Sequence, residues 1–173
     1  MTLFIRPATP FDIPAITRIY AHAVTHGTAT FELEPPDEAE MLRRFEKLRA
    51  GSFPYIVAEV DGAVAGYAYA SLFRERPAYR FTVEDSIYIA PQMHRRGIGR
   101  ALLTRLIADS EAAGFRQMMA VIGDSAQAAS IAVHRACGFK DAGVFEAVGF
   151  KFGRWLDTVQ MQRPLGDGAA TAP

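Results

Sequence analysis

The stretch Phe81–Leu103, FTVEDSIYIAPQMHRRGIGRALL, decides how this chain is read. Val83, Ile87 and Ile89 belong to an apolar, β-branched run that reads as a buried strand. Two adjacent carboxylates, Glu84 and Asp85, sit inside it, and Pro91 ends it. A basic, glycine-spaced turn follows, His94-Arg95-Arg96-Gly97-Ile98-Gly99, and an apolar-periodic helix begins near Arg100. A strand feeding a glycine turn at a helix start is a natural phosphate site, because free backbone N–H groups and the helix dipole both face the anion. A carboxylate inside a buried strand is costly unless it has a task. The stretch therefore points to a phosphate-bearing cofactor held beside a base.

The 173 residues fit one domain with a sizeable core, and a composition of 50% hydrophobic and 22% charged residues is ordinary for a globular protein. Zero formal net charge argues against a nucleic-acid partner. The basic residues do cluster locally, near Arg74–Arg80 and Arg95–Arg105, which keeps a local anion site open. The lone Cys137 forms no internal disulfide, and no Cys/His cluster has zinc-ligand spacing, so no metal is expected. Asp12, Pro7 and Pro10 stand where a signal peptide would need an apolar run. No segment approaches the roughly 18 apolar residues of a membrane span, so no membrane partner and a cytoplasmic location are expected.

Working outward, Leu3–Arg6 reads as a strand and Thr9 or Asp12 as the cap of a helix to about Val24, with Ile13, Ile16, Ile19, Tyr20 and Ala23 at helical spacing. His26–Pro36 reads as a loop and Asp37–Leu48 as a second amphipathic helix. Tyr55–Val60 and Ala63–Leu72 form a hairpin about Asp61-Gly62. A basic loop, Phe73–Tyr79, precedes the strand Thr82–Ala90 and the helix Arg100–Ala113. Then come a strand Gln117–Ile122, a helix Ser125–Cys137, and two strands, Phe139–Val148 and Phe152–Gln162, joined near Gly149. Residues 165–173 read as a disordered tail after a single domain of residues 1–164. The strand-helix-strand section requires a parallel pair, whereas the hairpins are antiparallel. The class is α+β (mixed α/β) around one twisted sheet.

The two carboxylates separate by strand alternation. Glu84 shares a face with Thr82, Ser86 and Tyr88, and Asp85 points with Ile87 and Ile89. Glu84 is the first candidate base; a bulge would re-aim the pair, which keeps Asp85 as the second. The structural alternative for Glu84 is an ion pair with Arg76 or Arg80. A dinucleotide turn would need a third glycine near 102, where Leu102 stands, and the lysine-serine pair of a nucleoside-triphosphate loop is absent.

In order and motifs the chain resembles the GNAT N-acetyltransferases over about Ile5 to Pro164. Within them, Arg74-Glu75-Arg76-Pro77-Ala78-Tyr79, Thr82-Val83-Glu84 with Tyr88, Ser130-x-x-x-His134-x-x-x-Gly138-Phe139 and the tail Gly149-Phe150-Lys151-Phe152-Gly153-Arg154-Trp155-Leu156-Asp157 resemble the phosphinothricin and methionine-sulfone acetyltransferases. The resemblance implies a mixed sheet of about 6–7 strands flanked by about four helices. It implies acetyl-CoA as co-substrate, with its pyrophosphate on Arg95, Arg96, Gly97, Ile98, Gly99 and Arg100. Its pantetheine arm would lie along the backbone of Ile87, Tyr88 and Ile89 and beside Gln127 and Ser130. Arg74, Arg76, Tyr79 and Phe31, with Thr28 and Thr30 nearby, would meet the acceptor. Glu84 would be the general base, and His134 would protonate the departing thiolate or orient the base or substrate. Two departures stand out: His94 replaces the usual Gln or Arg of the turn, and Gln127 replaces a common Asn.

The expected activity is acetyl transfer to the α-amine of a small amino-acid-like acceptor by direct attack in a ternary complex, carried out by a homodimer. A protein or polyamine acetyltransferase is the nearest rival, although Arg74 and Arg76 favour an anionic acceptor. A non-catalytic acyl-CoA sensor is the rival from another class, and it would have no need of Glu84.

Overall fold

The sheet strands alternate between two separate cores, which fixes where the helices lie. A computed structural model describes residues 2–173. In β2 (Tyr55–Val60), Ile56, Ala58 and Val60 join one core, and Tyr55 and Val57 join the other. β3 (Ala63–Leu72) sends Ala68 and Ala70 to the first and Tyr67 and Tyr69 to the second. β4 (Thr82–Ile89) sends Val83, Ile87 and Ile89 to the first and Tyr88 to the second. This is the period-2 alternation of a sheet covered on both faces. The first core is closed by α3 (Ile98–Ala112) and α4 (Ala128–Ala136), and the second by α1 (Ile13–His26) and α2 (Glu38–Ala50).

The other strands are β1 (Leu3–Pro7), β5 (Gln117–Gly123), β6 (Lys140–Lys151) and β7 (Arg154–Pro164). Among the described residues the seven strands lie in the order β1-β2-β3-β4-β5-β7-β6, and the one parallel pairing is β4 with β5. Gly66 on β3 lets β4 and α3 come close: a Cβ there would press on Ile89 and the carbonyl of Tyr88 and approach Leu102 of α3 to 3.3 Å. Asp37 caps α2 by accepting from the Glu40 N–H at 2.8 Å. Asp12 ties the approach to α1 by accepting from Thr9 N–H and from Arg6.

The sequence reading needs correction in several places. The last two strands turn at Phe152-Gly153, both with positive φ (53° and 72°), and not at Gly149, which lies inside β6. α3 starts at Ile98, two residues before Arg100, and α4 starts at Ala128, not Ser125. Leu165, grouped with the tail, is fully buried, and Arg116 reaches Thr171 and the Ala172 carbonyl. Cys137 is half-buried. Among the described residues no helix is long and apolar enough to cross a membrane.

Candidate active site

β4 and β5 pair over only three positions, Thr82↔Gln117, Val83↔Met118 and Glu84↔Met119, and then diverge. β4 continues to Ile89 on β3, while β5 continues to Gly123 on β7. Beyond Glu84 the two strands leave a cleft between them, and one backbone edge of residues 85–89 has no strand partner. A cavity of about 310 Å³ opens there. Glu84, Asp85, Ser86 and Tyr88 line it from β4, Ser130 and His134 line it from α4, and Gln127 lines it from the residue that caps α4. Ala29, Thr30 and Phe31 close it from the loop between α1 and α2.

The divergence settles the two carboxylates. The β3–β4 register runs unbroken from Gly66↔Ile89 to Leu72↔Val83, so no bulge re-aims them. Glu84 stays on the side of α1 and α2, and Asp85 on the side of α4. Both reach one cavity because the sheet is open between β4 and β5. Burial pushes the Glu84 carboxyl up to about 7; the charge of Asp85 adds to the rise and that of Arg74 opposes it. No ion pair joins Glu84 to Arg76 or Arg80 among the described residues. A carboxylate with this proton affinity removes protons efficiently near neutral pH.

Asp85 and His134 form a buried pair, with His134 Nε2 3.0 Å from Asp85 Oδ2. His134 Nδ1 lies 2.7 Å from the Ser130 carbonyl. Burial disfavours the imidazolium, but the Asp85 hydrogen bond and charge and the Ser130 carbonyl outweigh it and hold the His134 pKa above its ordinary value.

Next to the cavity, Gly97 caps α3 in the left-handed region (φ 78°), where an L side chain is strained. Arg95 has φ 61°. The first amide of α3 that bonds back to this turn is that of Ala101, to the Gly97 carbonyl, so the amides before it face outward. Nothing lies within 4 Å of a Cβ built on Gly97 or Gly99. Arg95, Arg96 and Arg100 are exposed around this anion cradle, and Ile98 is buried as its anchor. His94 turns the other way and donates from Nε2 to the Ile89 carbonyl at 3.1 Å.

Several expected site residues have other positions. Arg76 and Tyr79 are exposed on the loop before β4 and do not line the cavity; Tyr79 packs edge-on against Phe73. Arg74 stacks on Phe73, within electrostatic range of Glu84. Gln127 lines the cavity but donates its amide to Thr28 Oγ1 at 3.1 Å, which ties it to the α1–α2 loop. The sequence reading gave no individual role to Gly123, Asp124 or Lys151, whose contacts with that loop join segments far apart in the chain.

A sheet split between two central strands, a carboxylate in the split and a free-amide turn at its mouth suit a phosphate-bearing co-substrate held beside a base. Residues 16–139 match the acetyltransferase (GNAT) family, and the chain belongs to it. It is 57% identical over 162 residues to phosphinothricin N-acetyltransferase of Alcaligenes faecalis (94% of this chain, 82% of that one). It is 40% identical over 166 residues to L-methionine sulfoximine/L-methionine sulfone acetyltransferase of Salmonella typhimurium (96% of each). The crystal structure of a phosphinothricin acetyltransferase from Sinorhizobium meliloti in complex with acetyl-CoA superposes with a TM-score of 0.97 at 55% identity, covering 100% of this chain and 94% of that one. The chain is thus an acetyl-CoA-dependent acetyltransferase, and the open amide turn at Gly97–Gly99 suits a pyrophosphate.

Proposed function

We propose that this enzyme acetylates the α-amine of a small amino acid of the phosphinothricin, methionine sulfoximine or methionine sulfone type. The observation that carries the reading is Glu84: a carboxyl raised to about 7, lining a cavity beside an anion-binding turn. The activities named for the Alcaligenes and Salmonella relatives support the choice of acceptor.

Acetyl-CoA supplies an activated acetyl group as a thioester. An amino acid's ammonium cannot attack until it loses a proton, and Glu84 takes that proton, directly or through one water. The backbone N–H of Ile89 faces the acetyl carbonyl and stabilises charge on its oxygen. The turn amides at Gly97–Gly99 and Arg95, Arg96 and Arg100 hold the pyrophosphate, and the unpaired edge of residues 87–89 holds the pantetheine arm between Ser130 and Tyr88. Holding the two reactants together in one cleft supplies much of the acceleration. Arg74 attracts the acceptor's anionic end. Water suits the geometry better than the expected His134 as the source of a proton for the departing thiolate, because both ring nitrogens of His134 are engaged.

The enzyme acts as a homodimer through the β6–β7 hairpin. Val144, Phe145, Val148, Phe150 and Trp155 there are each at least half exposed, a density of apolar side chains that monomers avoid. A lone cysteine and a dependence on acetyl-CoA support a cytoplasmic location.

Mass spectrometry after incubation with acetyl-CoA and methionine sulfone tests the reaction. N-acetylmethionine sulfone is the expected product. Acetylation of spermidine or a lysine peptide, with methionine sulfone untouched, would overturn the choice of acceptor.

A further inference from the structure

Lys151, at the end of β6, is only 3% exposed, yet no carboxylate pairs with it among the described residues. Its Nζ donates to two backbone carbonyls, Gly27 and Thr30, both at 2.8 Å. It also lies 5.1 Å from the centre of the Phe152 ring. A buried, unpaired ammonium is costly, and burial lowers its pKa, with Glu32 opposing. The two carbonyls belong to the α1–α2 loop, whose Ala29, Thr30 and Phe31 wall the cavity opposite α4.

A second contact holds the same loop. A Cβ on Gly149 would clash with the edge of the Phe31 ring, 2.2 Å from Cε2, and one on Gly123 would strike the Thr28 carbonyl and approach Phe31 Cε1 to 3.0 Å. Neither glycine has a positive φ, so a backbone requirement does not explain them. They form a slot for Phe31. A third contact is polar: Thr28 Oγ1 donates to Asp124 Oδ2 at 3.1 Å, and Arg154 holds the same oxygen at 2.7 Å. Lys151 and Arg154 are the paired residues that close the β6–β7 turn, so one hairpin tip grips the loop from two sides.

We infer that Lys151 is a positioning residue for acceptor binding, fixing the Thr28–Phe31 wall through the Gly27 and Thr30 carbonyls while Gly149 and Gly123 seat Phe31. The inference rests on the acetyl-transfer reading above and deepens it. Lys151 does not line the cavity; its effect reaches the acceptor through the loop.

The test compares Lys151→Met, Lys151→Arg and Gly149→Ala with wild type. Two readouts are used: separate KM values for methionine sulfone and acetyl-CoA, and amide hydrogen exchange over residues 27–31. Lys151→Met is expected to raise the acceptor KM about tenfold, leave the acetyl-CoA KM within about twofold, and speed exchange in the loop but not in β2 and β3. Lys151→Arg, which keeps the donors, is expected to recover part of the acceptor KM. Gly149→Ala keeps the lysine and displaces Phe31, and it is expected to give the same split between the two KM values, so the inference stays testable if Lys151→Met folds poorly. Equal rises in both KM values, or loop exchange unchanged in Lys151→Met, would overturn it. Wild-type enzyme that leaves methionine sulfone untouched would instead overturn the choice of acceptor, and loop exchange would still judge the clamp.

Discussion

His134 and Asp85 are joined at 3.0 Å in the wall of the cleft, and the other ring nitrogen of His134 meets only the Ser130 carbonyl. Burial disfavours the charged ring, but the Asp85 hydrogen bond and charge and the Ser130 carbonyl favour it, so the folded protein holds the His134 proton to higher pH than a free imidazole does. Because the folded-state pKa of His134 is raised, its stabilisation is complete below about 6.5 and is lost as pH climbs through the higher folded value. Asp85→Asn leaves the imidazolium without its counter-charge and is expected to cost about 3–5 kcal/mol near pH 6. The loss is expected to shrink at pH values above the folded pKa of His134. Urea denaturation of both proteins across this range checks the size and its direction.

Glu84 has the opposite stability signature from an ordinary paired carboxylate. A carboxyl whose folded pKa is raised favours the protonated fold, so stability is lost as pH rises from about 4.5 to about 7 and then levels off. Glu84→Gln is expected to be more stable than wild type at pH 8 by about 1–3 kcal/mol, with the curves converging below about pH 4.5. Stability falling at pH 8 in the variant would mean that Glu84 is a structural ion-pair member.

The two turn glycines are expected to behave differently. Gly97→Ala places a side chain at φ 78° and is expected to cost about 1–2 kcal/mol. Gly99→Ala lies in the first turn of α3 and is expected to gain up to about 1 kcal/mol. Both methyl groups enter the space where the pyrophosphate is expected, so both variants should bind acetyl-CoA about tenfold more weakly. Calorimetric titration with acetyl-CoA, beside thermal unfolding, separates binding from stability.

The exposed apolar residues of the β6–β7 hairpin lead to a prediction about assembly. Trp155 and Phe150 pack against each other at 5.2 Å and are 64% and 57% exposed. Sedimentation should find a dimer for wild type, and Trp155→Glu should weaken it at least about tenfold. A monomeric wild type would contradict the assembly.

Much of the fold was legible because its signals are local. Asp61-Gly62 turned the first hairpin as its residue types require, with positive φ at both positions (50° and 84°). The alternation about Glu84 and Asp85 put them on opposite faces, as read. That both line one cavity depended on how far β4 pairs with β5, which neither strand's own sequence shows. Gly149 misled because glycine commonly marks a turn; here it makes room for Phe31, 118 positions earlier in the chain. Lys151 stood within the quoted tail motif, but its role was hidden, since a lysine in an exposed hairpin reads as solvated until its carbonyl partners are known.

The most direct test of the central claim is the pH dependence of kcat/KM for methionine sulfone, measured by thiol release from acetyl-CoA with wild type and Glu84→Gln. With Glu84 as the base, wild-type activity rises through a group titrating near 7, and the variant loses about 100-fold or more together with that limb. A variant that keeps near-wild-type activity and the same limb would contradict the account and take the proton transfer away from Glu84.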